Sequence, residues 1–95
     1  MIKYDVYYGE THIGRLYINE EGQYKYVADM DGIKKAEEKE DVVIIADARN
    51  DRDWGTPIAF FDNRIETCKK IGETETVRYP NSEYCFIKDN SGAQN

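Results

Sequence analysis

The segment Thr56–Gly72, TPIAFFDNRIETCKKIG, limits what this chain can fold into more than any other. Ile58, Phe61, Ile65 and Cys68 recur at the three- and four-residue steps of a helix with one buried face. Thr56 offers an N-cap hydroxyl, and Pro57 stands where a missing N–H is harmless. Lys69 and Lys70 fall in the last turn, where cations suit the negative end of the helix dipole, and Gly72 supplies the closing residue. One amphipathic helix over 57–71 therefore needs a surface to cover. The rest of the chain reads as short strands that provide it.

Ile2, Tyr4, Val6 and Tyr8 alternate with Lys3, Asp5 and Tyr7, which is strand periodicity. Gly9-Glu10-Thr11 turns the chain into a second strand, His12–Asn19, with Gly14, Leu16 and Ile18 on one face and Ile13, Arg15 and Tyr17 on the other. Asn19-Glu20-Glu21-Gly22 is a turn with glycine where positive φ is usual, and Gln23–Ala28 follows as a third strand. Tight connections make these three strands an antiparallel meander. Residues 33–40 read equally as a short helix or a solvated loop. Val42–Ala46 is an apolar run that fits a strand buried on both faces. Asp47–Gly55 reads as a charged loop tied by Asp–Arg pairs. Beyond Gly72, Thr74, Thr76 and Arg78 alternate with Glu75, Val77 and Tyr79, Pro80-Asn81-Ser82 turns, and Tyr84–Lys88 forms a last strand. The expectation is one α+β domain over 1–90, an antiparallel sheet covered by one helix, with a polar tail at 91–95. Ile58, Phe61, Ile65 and Cys68 are expected to face Leu16, Ile18 and Val27 or their neighbours.

At 95 residues the chain is long enough for a single core. Much of its apolar bulk is tyrosine, eight Tyr against three Phe and one Trp. The net charge of −6 is uneven: residues 1–48 carry 11 acidic and 6 basic side chains, residues 49–95 carry 8 and 7. Direct binding of nucleic acid is disfavoured by that balance, and a basic protein partner is better matched. Cys68 and Cys85 are too few for a disulfide framework and read as reduced core residues of a cytoplasmic protein. No apolar leader or 18-residue apolar run is present, so neither export nor membrane insertion is expected.

Chemistry is sparse. His12, the single histidine, lies beside a turn with no neighbouring nucleophile or acid motif and reads as structural. The cysteines lack metal-ligand spacing. Asp47, Asp51 and Asp53 superficially suggest a cation loop or a small metal-dependent hydrolase, but Thr56 replaces the glycine of a calcium loop and Arg49 and Arg52 offset the charge. No catalytic residue, metal or cofactor is expected. Partner binding is assigned to carboxylates at Glu20, Glu21, Glu37, Glu38, Glu40 and Asp41, with Tyr8, Tyr24 and Tyr26 as aromatic anchors. A solvated face that merely keeps the protein dissolved is the competing reading of those carboxylates.

The stretch Trp54–Ile65, WGTPIAFFDNRI, resembles a segment of short uncharacterised proteins of Gram-positive bacteria and their mobile elements. The meander containing IGRLYINEEGQYKY is similar to the opening strands of the N-terminal subdomain of HipA-type toxin kinases, without the kinase domain. In size, acidity and lack of catalytic motifs the chain resembles phage-encoded inhibitors such as anti-CRISPR proteins, a likeness of type and not of motif. That last likeness, with the net charge of −6 concentrated in residues 1–48 and the many tyrosines, leads to the expectation of a non-enzymatic inhibitor that blocks a basic, nucleic-acid-handling partner such as a CRISPR or other defence nuclease. A HipA-like or toxin–antitoxin interaction domain, self-associating through a sheet edge and tyrosines such as Tyr7 and Tyr24, is the second reading.

Overall fold

The alternating N-terminal residues form β1 (Ile2–Tyr8), β2 (Thr11–Ile18) and β3 (Tyr24–Ala28) in a computed structural model that describes residues 1–72, 76–78 and 83–89. Then come α1 (Met30–Glu40), α2 (Ala46–Arg49), β4 (Arg52–Gly55), α3 (Ala59–Gly72), β5 (Thr76–Arg78) and β6 (Tyr84–Lys88). The strands make one six-stranded sheet in the order β4-β3-β2-β1-β6-β5, and every neighbouring pair is antiparallel. The fold is α+β, with the meander at the sheet centre. Cys68, Lys69, Lys70, the closure at Gly72, the turn at 80–82 and the tail lie outside the described side chains and residues.

Opposite residues of an antiparallel pair share a face. Registers Tyr4↔Leu16, Leu16↔Tyr26, Val6↔Gly14 and Val6↔Phe86 therefore put these side chains on one inner face. Phe61 and Ile65 of α3 join Val6, Leu16, Tyr26, Phe86 and α1 residues Ile33 and Ala36 in a single buried cluster, with Ile58 packed at its margin. Each fully buried large side chain contributes roughly 1.5–3 kcal/mol. Val27 is 42% exposed, on the face opposite Tyr26, so its neighbour Tyr26 meets the helix in its place.

A bulge corrects the second strand. Val6 pairs with Gly14 but Tyr7 pairs with His12, leaving Ile13 as the extra residue. Ile13 thereby turns into the core, where it is fully buried, although strict alternation would put it outside. Tyr26 crosses beside Gly14 to donate its hydroxyl to the Ala48 carbonyl at 2.7 Å and the Ile13 carbonyl at 3.2 Å. A Cβ on Gly14 would stand 2.0 Å from that hydroxyl, so the close approach needs glycine.

Three further expectations change. Val42–Ala46 is not a strand: 42–45 is irregular and Ala46 opens α2. The Ile44 N–H donates to Glu37 Oε2 at 2.9 Å and the Ile45 N–H to Tyr84 Oη at 3.1 Å, so side chains satisfy the backbone in place of a neighbouring strand. Only Ile44 of that run is fully buried, and Val43 is 79% exposed. The loop expected at 47–55 instead holds α2 and edge strand β4. It is tied by Arg49 to Glu37 and by the Ala28 N–H to Asp51 Oδ1 at 2.7 Å, and not by Asp–Arg pairs of its own. Finally, α3 begins at Ala59, with Asp62 N–H bonded to the Ile58 carbonyl at 3.0 Å, so Thr56 precedes the cap and its carbonyl accepts from Arg52. Segment 33–40 is helical. Asp29 caps its start by accepting from Gly32 N–H at 3.1 Å, and Asp41 ends it in the left-handed region at φ 54. Among the described residues no helix is long and apolar enough to cross a membrane.

Candidate functional site

Helix α1 turns Ile33 and Ala36 to the core; Glu38 lies on its far side, Glu40 continues the core stripe at the helix end and Asp41 is the C-cap, all exposed together with Lys34, Lys35 and Lys39. Glu37 departs from the set. Its carboxylate accepts from the Ile44 N–H and pairs with Arg49, both through Oε2, so it holds the 42–45 segment. A depression of about 430 Å³ lies beside it, lined by Lys34, Glu37, Glu38 and Asp41.

The β1–β2 turn adds a carboxylate that sequence reasoning missed. An ideal Cβ at Gly9 would be 3.7 Å from Glu40 Oε2 and 3.8 Å from Glu83 Oε2, so these two groups converge on the turn. Tyr8 is half-buried beside them, edge-on to Tyr84 with ring centroids 4.9 Å apart. Its phenol is pushed up first by burial and then by the negative surroundings of Tyr84, Glu83 and Glu40. Val43 and Ile45 project from the adjoining segment, held next to Tyr84 by the Ile45 N–H. Tyr8, Tyr84 and Ile45 thus adjoin Glu40 and Glu83 at this end of the sheet, with Glu38, Asp41 and Val43 exposed on the same stretch of chain.

The other assigned residues lie elsewhere. Glu20 and Glu21 occupy the β2–β3 turn, which Asn19 organises by accepting from Glu21 N–H at 3.0 Å and Gln23 N–H at 2.9 Å. The length of β2 separates them from the Gly9 turn, about 25 Å at ordinary strand rise. Tyr24 and Tyr26 are corrections: they are 5% and 1% exposed and belong to the core. Burial raises both phenols, and Tyr24 further bonds Asp62. Neither ring can anchor a partner of the folded protein.

His12 has company that the sequence did not show. Its Nδ1 lies 3.0 Å from Asp29 Oδ2 and its Nε2 lies 3.1 Å from Asp5 Oδ1, while Arg15 Nε donates to Asp5 at 3.0 Å. The bulge makes this possible by turning His12 to the outer face, onto the row of Asp5 and Arg15. Both ring nitrogens are engaged, so His12 pins β1, β2 and the start of α1 together and offers no unoccupied nitrogen as a base. Asp51 and Asp53 of the metal-hydrolase alternative each accept a backbone N–H, from Ala28 and Trp54 respectively. No group of three or more His, Cys, Asp or Glu side chains gathers as a metal centre among the described residues.

The pin has a pH signature. The Asp29 carboxyl is held below its usual range, first by its hydrogen bond with His12 and then by the Gly32 N–H. A lowered carboxyl stabilises the fold above the unfolded-chain value, and this contribution is lost as pH falls through the folded value. Asn also caps helices, so Asp29→Asn removes the charge and keeps the cap. The variant is expected to unfold at lower urea than wild type above about pH 5, with the gap closing toward pH 2. Urea midpoints across that range check it, and a gap constant with pH would refute the role.

Comparison with protein-family models, with curated proteins and with solved structures finds no match.

Proposed function

We propose that this protein is a small non-enzymatic binding protein whose acidic end docks on a basic, nucleic-acid-handling partner and blocks it, in the manner of an anti-CRISPR inhibitor. One observation supports this most: Glu40 and Glu83 converge on the Gly9 turn beside the Tyr8–Tyr84 pair, and Val43, two residues beyond Asp41, is 79% exposed. Apolar side chains that become desolvated supply affinity, while surrounding charges set on-rate and specificity. Val43 and Ile45 thus take the anchoring role first given to Tyr24 and Tyr26. Lys and Arg that ordinarily hold phosphates would meet Glu38, Glu40, Asp41 and Glu83.

The test uses purified RNA-guided nucleases of bacterial defence, with binding measured at two salt concentrations and in competition with duplex DNA. Val43→Asp is expected to weaken binding by at least ~2 kcal/mol. Changing Glu38, Glu40 and Asp41 together to their amides should weaken it and flatten its salt dependence. The pair Glu20→Gln and Glu21→Gln should leave it unchanged. Unaltered binding by the triple amide variant would reduce those carboxylates to a solvated face. Sedimentation serves the second reading: a dimer indifferent to salt would favour self-association through a sheet edge.

A further inference from the structure

We propose that the outer face of the sheet binds single-stranded nucleic acid along the row Lys3, Tyr17, Lys25 and Trp54. The strand registers build this row. Lys3 is opposite Tyr17, Tyr17 is opposite Lys25, and Lys25 Nζ lies 5.9 Å from the centroid of the Trp54 ring. Four adjacent strands thus present cation, ring, cation, ring, all half-buried. None of the buried helix residues packs here, because Ile33, Ala36, Phe61 and Ile65 belong to the inner-face cluster.

Charge on this face runs against the rest of the molecule. Lys3, Arg15 and Lys25 share it with Asp5, which Arg15 and His12 engage, and with Asp89, whose N–H donates to the Lys3 carbonyl at 2.8 Å, so three cations face two carboxylates in a chain of net charge −6. Composition argues against a basic face, but the register gathers cations that composition alone disperses. An anionic ligand is therefore favoured. At an ordinary strand spacing, the two lysines and the two rings of the row are each about 10 Å apart. Alternating charge and ring suits a strand that alternates phosphate and base, since bases stack on aromatic side chains while cations track the backbone. A duplex hides its base faces, and an acidic peptide has no flat faces to stack. Glu20 and Glu21 stand in the turn just beyond the row, so attraction over distance is small and stacking contributes most of the affinity. This site is separate from the acidic end, which lies beyond the opposite ends of the strands.

Trp54 is the single tryptophan, so its emission reports directly on the row. The intact protein is titrated with eight-nucleotide oligo-dT and oligo-rU, with a duplex of the same length and with oligoglutamate. Salt is held near 0.1 M, where the screening length is about 10 Å. Both single strands are expected to quench Trp54 saturably, and the tighter of the two assigns DNA or RNA as the ligand. Tyr17→Ala, with its reporter intact, should weaken binding roughly tenfold. Lys3→Gln and Lys25→Gln should each reduce the salt slope by about 0.7. Melting curves of these three variants, expected to match wild type within a few degrees, separate lost binding from lost fold. Absence of quenching by either single strand, equal affinity in a folded Tyr17→Ala protein, or equal binding of oligoglutamate would overturn the assignment.

Discussion

Replacing Gly32 by Ala is expected to destabilise the protein by upward of ~3 kcal/mol, although alanine is the better helix former by about 1 kcal/mol. Gly32 lies in the first turn of α1, where the helix touches the bulge of β2. A Cβ built there would stand 1.8 Å from the His12 carbonyl oxygen and 3.0 Å from its carbon. Those are backbone atoms and cannot rotate aside, so the whole start of α1 must move off the sheet. The Gly32 N–H to Asp29 cap and the Asp29–His12 bond then weaken together, and Ile33, adjacent in sequence and fully buried, loses its seat. Gly22→Ala is the control. Gly22 has φ +79 and nothing within 4 Å of its missing Cβ, so it should cost only about 1 kcal/mol of backbone strain. Chemical denaturation of both variants checks the contrast. Similar losses for the two would mean that α1 does not press on His12.

That contact shows where sequence reading stops. Nothing local to Gly32 says that residue 32 will meet residue 12. The alternation of residues 2–28 was enough for the meander, and the spacing of Phe61 and Ile65 for the buried face of α3. Local spacing cannot show a bulge, however. Ile13 turns inward because Gly14 leaves room for Tyr26, and this depends on pairing between strands. The Val42–Ile45 run looks like a strand for the same reason. Its N–H groups at Ile44 and Ile45 are met by the side chains of Glu37, one helix end away, and of Tyr84, distant in sequence.

The candidate surface was legible in part. Glu38, Glu40 and Asp41 are exposed as their composition implies. The burial of Tyr24 and Tyr26 was also there to be read, since Lys25 between them marks the wet side of β3 and leaves both tyrosines on the dry one. Glu83 and Val43 had no such signal. Glu83 reaches the Gly9 turn only through the pairing of β1 with β6, and Val43 is exposed only because the 42–45 segment is irregular. His12 acquires Asp5 and Asp29 through the bulge and the α1 cap, a conjunction with no linear spacing.

Phe61→Ala is expected to cost roughly 3–5 kcal/mol, a large share of the ~5–15 kcal/mol that holds a small domain together. Phe61 is fully buried and its ring meets Tyr26 at 5.0 Å, Phe60 at 5.3 Å and Phe86 at 6.0 Å between centroids. These contacts join α3 to β3 and to β6, on either side of the central pair of strands. Truncation leaves a cavity whose walls belong to three elements, and sheet residues cannot close it without breaking their ladders. Phe60 is the comparison. It is half-buried, edge-on to Tyr84 at 5.3 Å, and Arg64 stacks on its ring, so Phe60→Ala should cost distinctly less. Urea unfolding of both variants gives the test, with midpoints shifting and slopes unchanged if only packing is lost. A wild-type midpoint for Phe61→Ala would mean that α3 does not cover the sheet, and a larger loss from Phe60→Ala would mean that the helix presents its other face.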